Sequence, residues 1–121
     1  MTVALWAGVM VIGGLGAVAR LMVDRAVARR AARSFPFGTL AVNISGAVLL
    51  GFVTGLTLSH HAALLAGTAF VGAYTTFSTW MLETQRLTEE RQIWPAIANL
   101  VVSVVLGVTA ALLGQWIASL L

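Results

Sequence analysis

Residues 72–80 read GAYTTFSTW, and five of these nine side chains carry a hydroxyl: Tyr74, Thr75, Thr76, Ser78 and Thr79. A single Ser or Thr in an apolar helix normally bonds back to a carbonyl of its own coil. Five in close succession, after Gly67 and Gly72, go beyond that role and predict a helix broken near its middle. Irregular backbone at membrane depth is tolerated where it is buried in protein or lines a watery cavity. Freed carbonyls at such a break can coordinate a cation, and helix ends there can face an ion. The chemistry expected is thus the passage of an ion, with a continuous polar packing helix as the competing arrangement.

Other polar residues in apolar surroundings extend the set. Asn43 and Asn99 each place an amide where hydrogen bonding is obligatory, as an interhelical bond or as a lining group of a pathway. Arg20 and Asp24 lie one helical turn apart, so they can pair on one face at the membrane boundary, or Arg20 can draw anions into a vestibule. His60 and His61 fall in a polar turn, where solvated loop residues are expected. The chain has no cysteine, which excludes thiol chemistry and thiolate metal sites. No serine or carboxylate pair has the spacing and matching base of an intramembrane protease, so no enzyme is expected.

These residues must be positioned by elements built for lipid. Of the 121 residues, 60% are apolar and 9% charged, far below the roughly one quarter charged in a soluble domain. Charge-free runs cover residues 1–19, 34–59, 62–82 and 92–121, each near or above the roughly 20 residues that span a bilayer. None alternates with period two, which argues against barrel strands. The expected fold is all-α, one four-helix membrane domain over residues 1–121 with helices near 3–30, 36–58, 62–88 and 93–120. Arginines follow the first run and nothing charged precedes it, so it is read as a retained helix and not a cleaved signal. Pro36 suits the start of the second helix. Thr39, Asn43, Ala47, Gly51 and Gly55 then form one stripe, and Asn99, Ser103, Gly107 and Ala111 repeat the design, with Gly51, Gly55 and Gly107 expected to pack helices closely. Trp6, Trp94 and Trp116 fall near helix ends, as at a lipid–water boundary.

All seven basic residues are arginines. They lie in or beside the connections between helices 1 and 2 (Arg20, Arg25, Arg29, Arg30, Arg33) and between helices 3 and 4 (Arg86, Arg91). The positive-inside rule places both connections in the cytoplasm and both termini outside a bacterial inner membrane. The basic charge speaks to topology, and no nucleic-acid partner is expected.

The segments GLGAVAR (14–20), FPFGTLAVNISGAVLLGF (35–52) and GAYTTFST followed by Glu83 resemble the Fluc/CrcB fluoride channels, in order and spacing over nearly the whole chain. The resemblance implies four-helix subunits assembled as an antiparallel dimer with two narrow pores, a central structural Na+ and passive export of fluoride. It implies that the backbone carbonyls of Gly72 and Thr75 hold the sodium. It also implies that Asn43, Phe77, Ser78, Thr79 and Ser103 line the fluoride route, with Glu83 near its end. Two positions depart from the family pattern. Trp80 stands where a second phenylalanine is common, and Asn99 where helix 4 usually carries a tyrosine. Both are counted with the pore lining, the indole as an edge that could narrow the bore.

Fluoride is small and tightly hydrated, so a dry pore must offer donors in place of water, and a phenyl ring can present its positive edge. A homodimer with antiparallel subunits requires insertion both ways, which the arginine asymmetry opposes. A paralogous partner of opposite orientation is therefore expected, with a homodimer as the alternative. Two other functions are open to a chain of this length and class. A small multidrug-type proton-coupled exporter needs an embedded carboxylate, usually in helix 1, and helix 1 has no acid before Asp24. A structural, non-conducting subunit of a heterodimeric channel would follow if Trp80 blocks its pore.

Overall fold

The computed structural model describes residues 2–31 and 33–121, and they contain helices and turns but no strand. Helix α1 (Val3–Ala31) runs 29 residues, about 43 Å at 1.5 Å per residue, so its arginine-bearing end extends past a 30 Å hydrocarbon core. Helix α2 (Phe37–Gly55) starts directly after Pro36 and stops three residues earlier than its apolar run suggests, because Leu56 turns extended. The third stretch is composite. Ser59 caps α3 (His60–Ala63) by accepting from the Ala62 amide. A π-helical segment (Leu64–Val71) and the short α4 (Gly72–Tyr74) continue it. After residues 75–77 the chain resumes as α5 (Ser78–Glu89), and α6 (Ile93–Ser119) completes the molecule. Helices α1, α2 and α6 are each long and apolar enough to cross a membrane. The third stretch is divided between shorter pieces, Leu64–Tyr74 and α5, by residues 75–77.

Close approach of backbones sets the topology. A Cβ on Gly51 would strike the Ala111 carbonyl, one on Gly114 the Val48 carbonyl, and one on Gly55 the Ala118 methyl. From Gly51 at Ala111, through Phe52 at Gly114, to Gly55 at Gln115 and Ala118, positions rise together along α2 and α6, so these two helices run in the same direction. Gly8 faces Leu65, Gly13 faces Ala69 and Gly16 faces Phe70, which makes α1 and the third stretch parallel as well. Thr39 meets Glu83 and Asn43 meets Thr76, so α2 is antiparallel to that stretch. The four stretches therefore alternate in direction along the chain.

Helix α6 corrects one expectation. Gly107 has open space where a Cβ would stand, while Ala96, Ala110, Gly114 and Ala118 are the buried small residues. A straight helix advances 3.6 residues per turn, so a strict four-residue stripe drifts off the contact face within a few turns. Buried side chains are few: Val42 and Leu87 are fully enclosed, with Thr39 and Asn99 as the buried polar pair. Met10, Val11, Val104, Val105 and Leu112 all face outward, as lipid contact or a neighbouring chain requires.

Candidate functional site

The interruption after Tyr74 is organised by hydrogen bonds that replace the helical ladder. Thr75 is extended (φ −83°, ψ 163°). In a continuous helix the Thr76 amide would bond to the Gly72 carbonyl. Here it donates to Asn43 Oδ1 at 2.9 Å, and Asn43 Nδ2 donates back to the Thr76 carbonyl at 2.9 Å. The Thr79 amide, which would serve the Thr75 carbonyl, instead donates to Thr76 Oγ1 at 3.2 Å. Thr76 therefore caps α5 in the manner of an N-terminal hydroxyl. The Gly72 and Thr75 carbonyls thereby lose the amides that would serve them in a continuous helix.

The five hydroxyls divide among different tasks. Tyr74 is buried, stacks on Phe70 and shares a 2.9 Å hydrogen bond with Ser45 of α2. Thr75 Oγ1 bonds back to the Val71 carbonyl at 3.0 Å, and its methyl lies against Gly46. Thr76 Oγ1 donates to Thr79 Oγ1 at 3.1 Å. Ser78 is exposed, with only a 3.5 Å contact to Thr76.

The aromatic pair flanks the break. Phe77 is 69% exposed, and Trp80 meets it edge-to-face at a centroid distance of 5.8 Å. The Trp80 indole N–H donates to the Asn99 main-chain carbonyl at 3.0 Å, while Asn99 Nδ2 donates to Thr84 Oγ1 at 2.9 Å. Asn99 is thus engaged with α5, one turn before half-buried Ser103.

Several cavities adjoin the break, among them one of about 550 Å³ that Gly72 and Thr75 help to line. Another, of about 240 Å³, is lined by Arg20, Asp24, Thr39, Thr76 and Thr79. A third, about 300 Å³, is lined by Asn43, Thr75, Thr76, Phe77 and Trp80. Thr76 borders the latter two. Toward the arginine-bearing end, Asp24, Arg33, Glu83 and Arg86 line a further space of about 110 Å³. Ser103 lines none of these four.

Arg20 and Asp24 share a cavity wall without pairing; the one ion pair among the described residues joins Arg86 to Glu90 on α5. The anticipated i, i+4 pair on α1 does not form, and the Asp24 carboxylate instead lies against Gly38 at the start of α2. Sequence reasoning did not identify the hydrogen bond from the Thr39 hydroxyl to the Glu83 carboxylate. Thr39 is 2% exposed, and its place one turn before Asn43 was the available clue. Thr84 and Ser45 were missed because each bonds across helices whose register the sequence does not display.

Comparison with known proteins gives the family. The pattern described as CrcB-like protein, Camphor Resistance (CrcB), matches residues 7–115. The chain is 72% identical over 120 residues to a Mycobacterium tuberculosis protein named Fluoride-specific ion channel FluC 2, covering 99% of this chain and 95% of that one. A Mycolicibacterium paratuberculosis protein of the same name is 71% identical, with 98% of each chain covered. Fluoride-specific ion channel FluC 1 of Leifsonia xyli subsp. xyli is 44% identical, covering 99% of this chain and 90% of its own length. With nearly all of its length matched and at high identity, the chain belongs to the CrcB family.

Proposed function

We propose that this protein is a subunit of a fluoride-selective channel that lets fluoride leave the cell passively and so lowers its cytoplasmic concentration. The observation that carries the reading is the break in the third stretch, braced by Asn43 and flanked by Phe77. It collects amide, hydroxyl and ring-edge groups beside cavities, which is what a small, strongly hydrated anion requires in place of water. The names of the relatives support the same ion.

Asn43, Phe77, Ser78, Thr79, Trp80, Asn99 and Ser103 are assigned to the lining, Glu83 to its end and Arg20 to a vestibule. Of these, Ser78, Asn99 and Ser103 border none of the cavities beside the break. A structural Na+ suits the Gly72 and Thr75 carbonyls, because a hard cation takes neutral oxygen donors and these two have lost their helical amides. Bound there, the ion would supply positive charge that holds the break open. The subunit works as an antiparallel dimer in a bacterial inner membrane, with a paralogue of opposite orientation favoured over a second copy by the arginine asymmetry. Relatives named FluC 1 and FluC 2 are in keeping with paired chains.

Liposomes loaded with fluoride or chloride and containing the chain, alone and with a candidate partner, test the reading with ion-selective electrodes. Fluoride release without chloride release is expected. Silence in both preparations would leave a non-conducting structural subunit, the role that a bulky Trp80 favours.

A further inference from the structure

Trp80 carries an N–H, the only hydrogen-bond donor on the side chains of the aromatic pair, and the structure withdraws it. The indole donates to the Asn99 main-chain carbonyl on α6 at 3.0 Å. Asn99 answers from its side chain: Nδ2 donates to Thr84 Oγ1 at 2.9 Å and reaches the Trp80 carbonyl at 3.5 Å. Thr84 Oγ1 donates to that same carbonyl at 2.9 Å, which closes a ring of three residues across α5 and α6. Asn99 is 1% exposed, and its Oδ1 has no donor. Burying an oxygen without a donor is unfavourable, so the amide is held there by its donor side alone. Only the carbon framework of the indole then remains to meet Phe77, edge-to-face at 82°.

We infer that Asn99 is a positioning residue for Trp80. By tying α5 to α6 it keeps the indole N–H out of the passage and the ring against Phe77, so that tryptophan serves where a hydrocarbon ring is needed. A free N–H beside the route would bind a desolvated anion and slow its exit. This inference rests on the channel reading for its consequence but not for its geometry.

Two measurements test it, one without ion flux. The chain has four tryptophans, each with one indole N–H signal in ¹⁵N-edited NMR, and Trp80→Phe identifies the signal of Trp80. That N–H is expected to exchange slowly with deuterium and to exchange at least about tenfold faster in Asn99→Leu, which keeps side-chain bulk but removes the amide donors. Unchanged signals from the other three tryptophans report an intact fold, and Asn99→Ala serves if the leucine variant does not fold. Fluoride efflux from liposomes forms the second arm. Asn99→Leu is expected to lower efflux about tenfold beside Trp80 but no more than about twofold in a Trp80→Phe background, where no N–H needs restraint. Unchanged indole exchange, or equal losses of efflux in both backgrounds, would overturn the inference. If the unaltered protein passes no fluoride, or Trp80→Phe itself is silent, the exchange measurement decides the inference alone; the former result counts against the channel reading.

Discussion

Asn43 shows how one side chain can replace two rungs of a helix. Its amide offers a donor and an acceptor in fixed geometry, and both are used on the Thr76 backbone. Asn43→Ala leaves that N–H and carbonyl without side-chain partners in a partly buried place, at a cost of about 1–3 kcal/mol. A lower denaturation midpoint in detergent is the expected result, together with loss of fluoride efflux. Unaltered stability would mean that the backbone closes on itself and that the break does not depend on this residue. The sequence marked Asn43 because an amide in an apolar run must bond. It could not name the partner, since every peptide group is an equally good candidate until the helices are docked.

At the scale of elements, contact geometry separates glycines that look alike in sequence. Gly51 faces the Ala111 backbone, which cannot move aside as a flexible side chain would. Gly51→Ala is expected to destabilise the chain by about 1–3 kcal/mol, as overpacking typically does, whereas Gly107→Ala should change stability by less than about 0.5 kcal/mol. Denaturation of the two variants side by side makes the comparison. A large loss at Gly107 would instead reveal another chain packed against that face of α6. The same distinction explains why the paired small-residue stripes were only half legible. Spacing shows which residues permit close approach, and only the crossing of α2 with α6 shows which of them need it.

For the molecule as a whole, charge and apolar length dominate. Arg25, Arg29, Arg30 and Arg33 gather at the end of α1, and Arg86 and Arg91 at the end of α5, at the same end of the molecule, where Arg86 donates to the Ser34 carbonyl; Arg20 lies deeper within α1. A reporter fused to the C-terminus is therefore expected to appear outside only, and replacement of Arg25, Arg29, Arg30 and Arg33 by glutamine should yield a mixed population. Mixed insertion of the unaltered chain would remove the reason for preferring a paralogous partner. The outward-facing apolar side chains of α1 and α6 bear on the same question, because a single copy encloses little of its own surface.

Sequence alone determined the helical class, the apolar runs and the concentration of hydroxyls near residue 75, since each depends on residue type along a line. It also placed Asn43, Phe77 and Glu83 in the resemblance that led to the family. Tertiary structure decided that α3 continues into a π-helical segment, that Arg20 and Asp24 stay apart, and that Asn99 engages Trp80. Those outcomes depend on distances between segments far apart in the chain, where rotation of one helix by a fraction of a turn exchanges one set of partners for another.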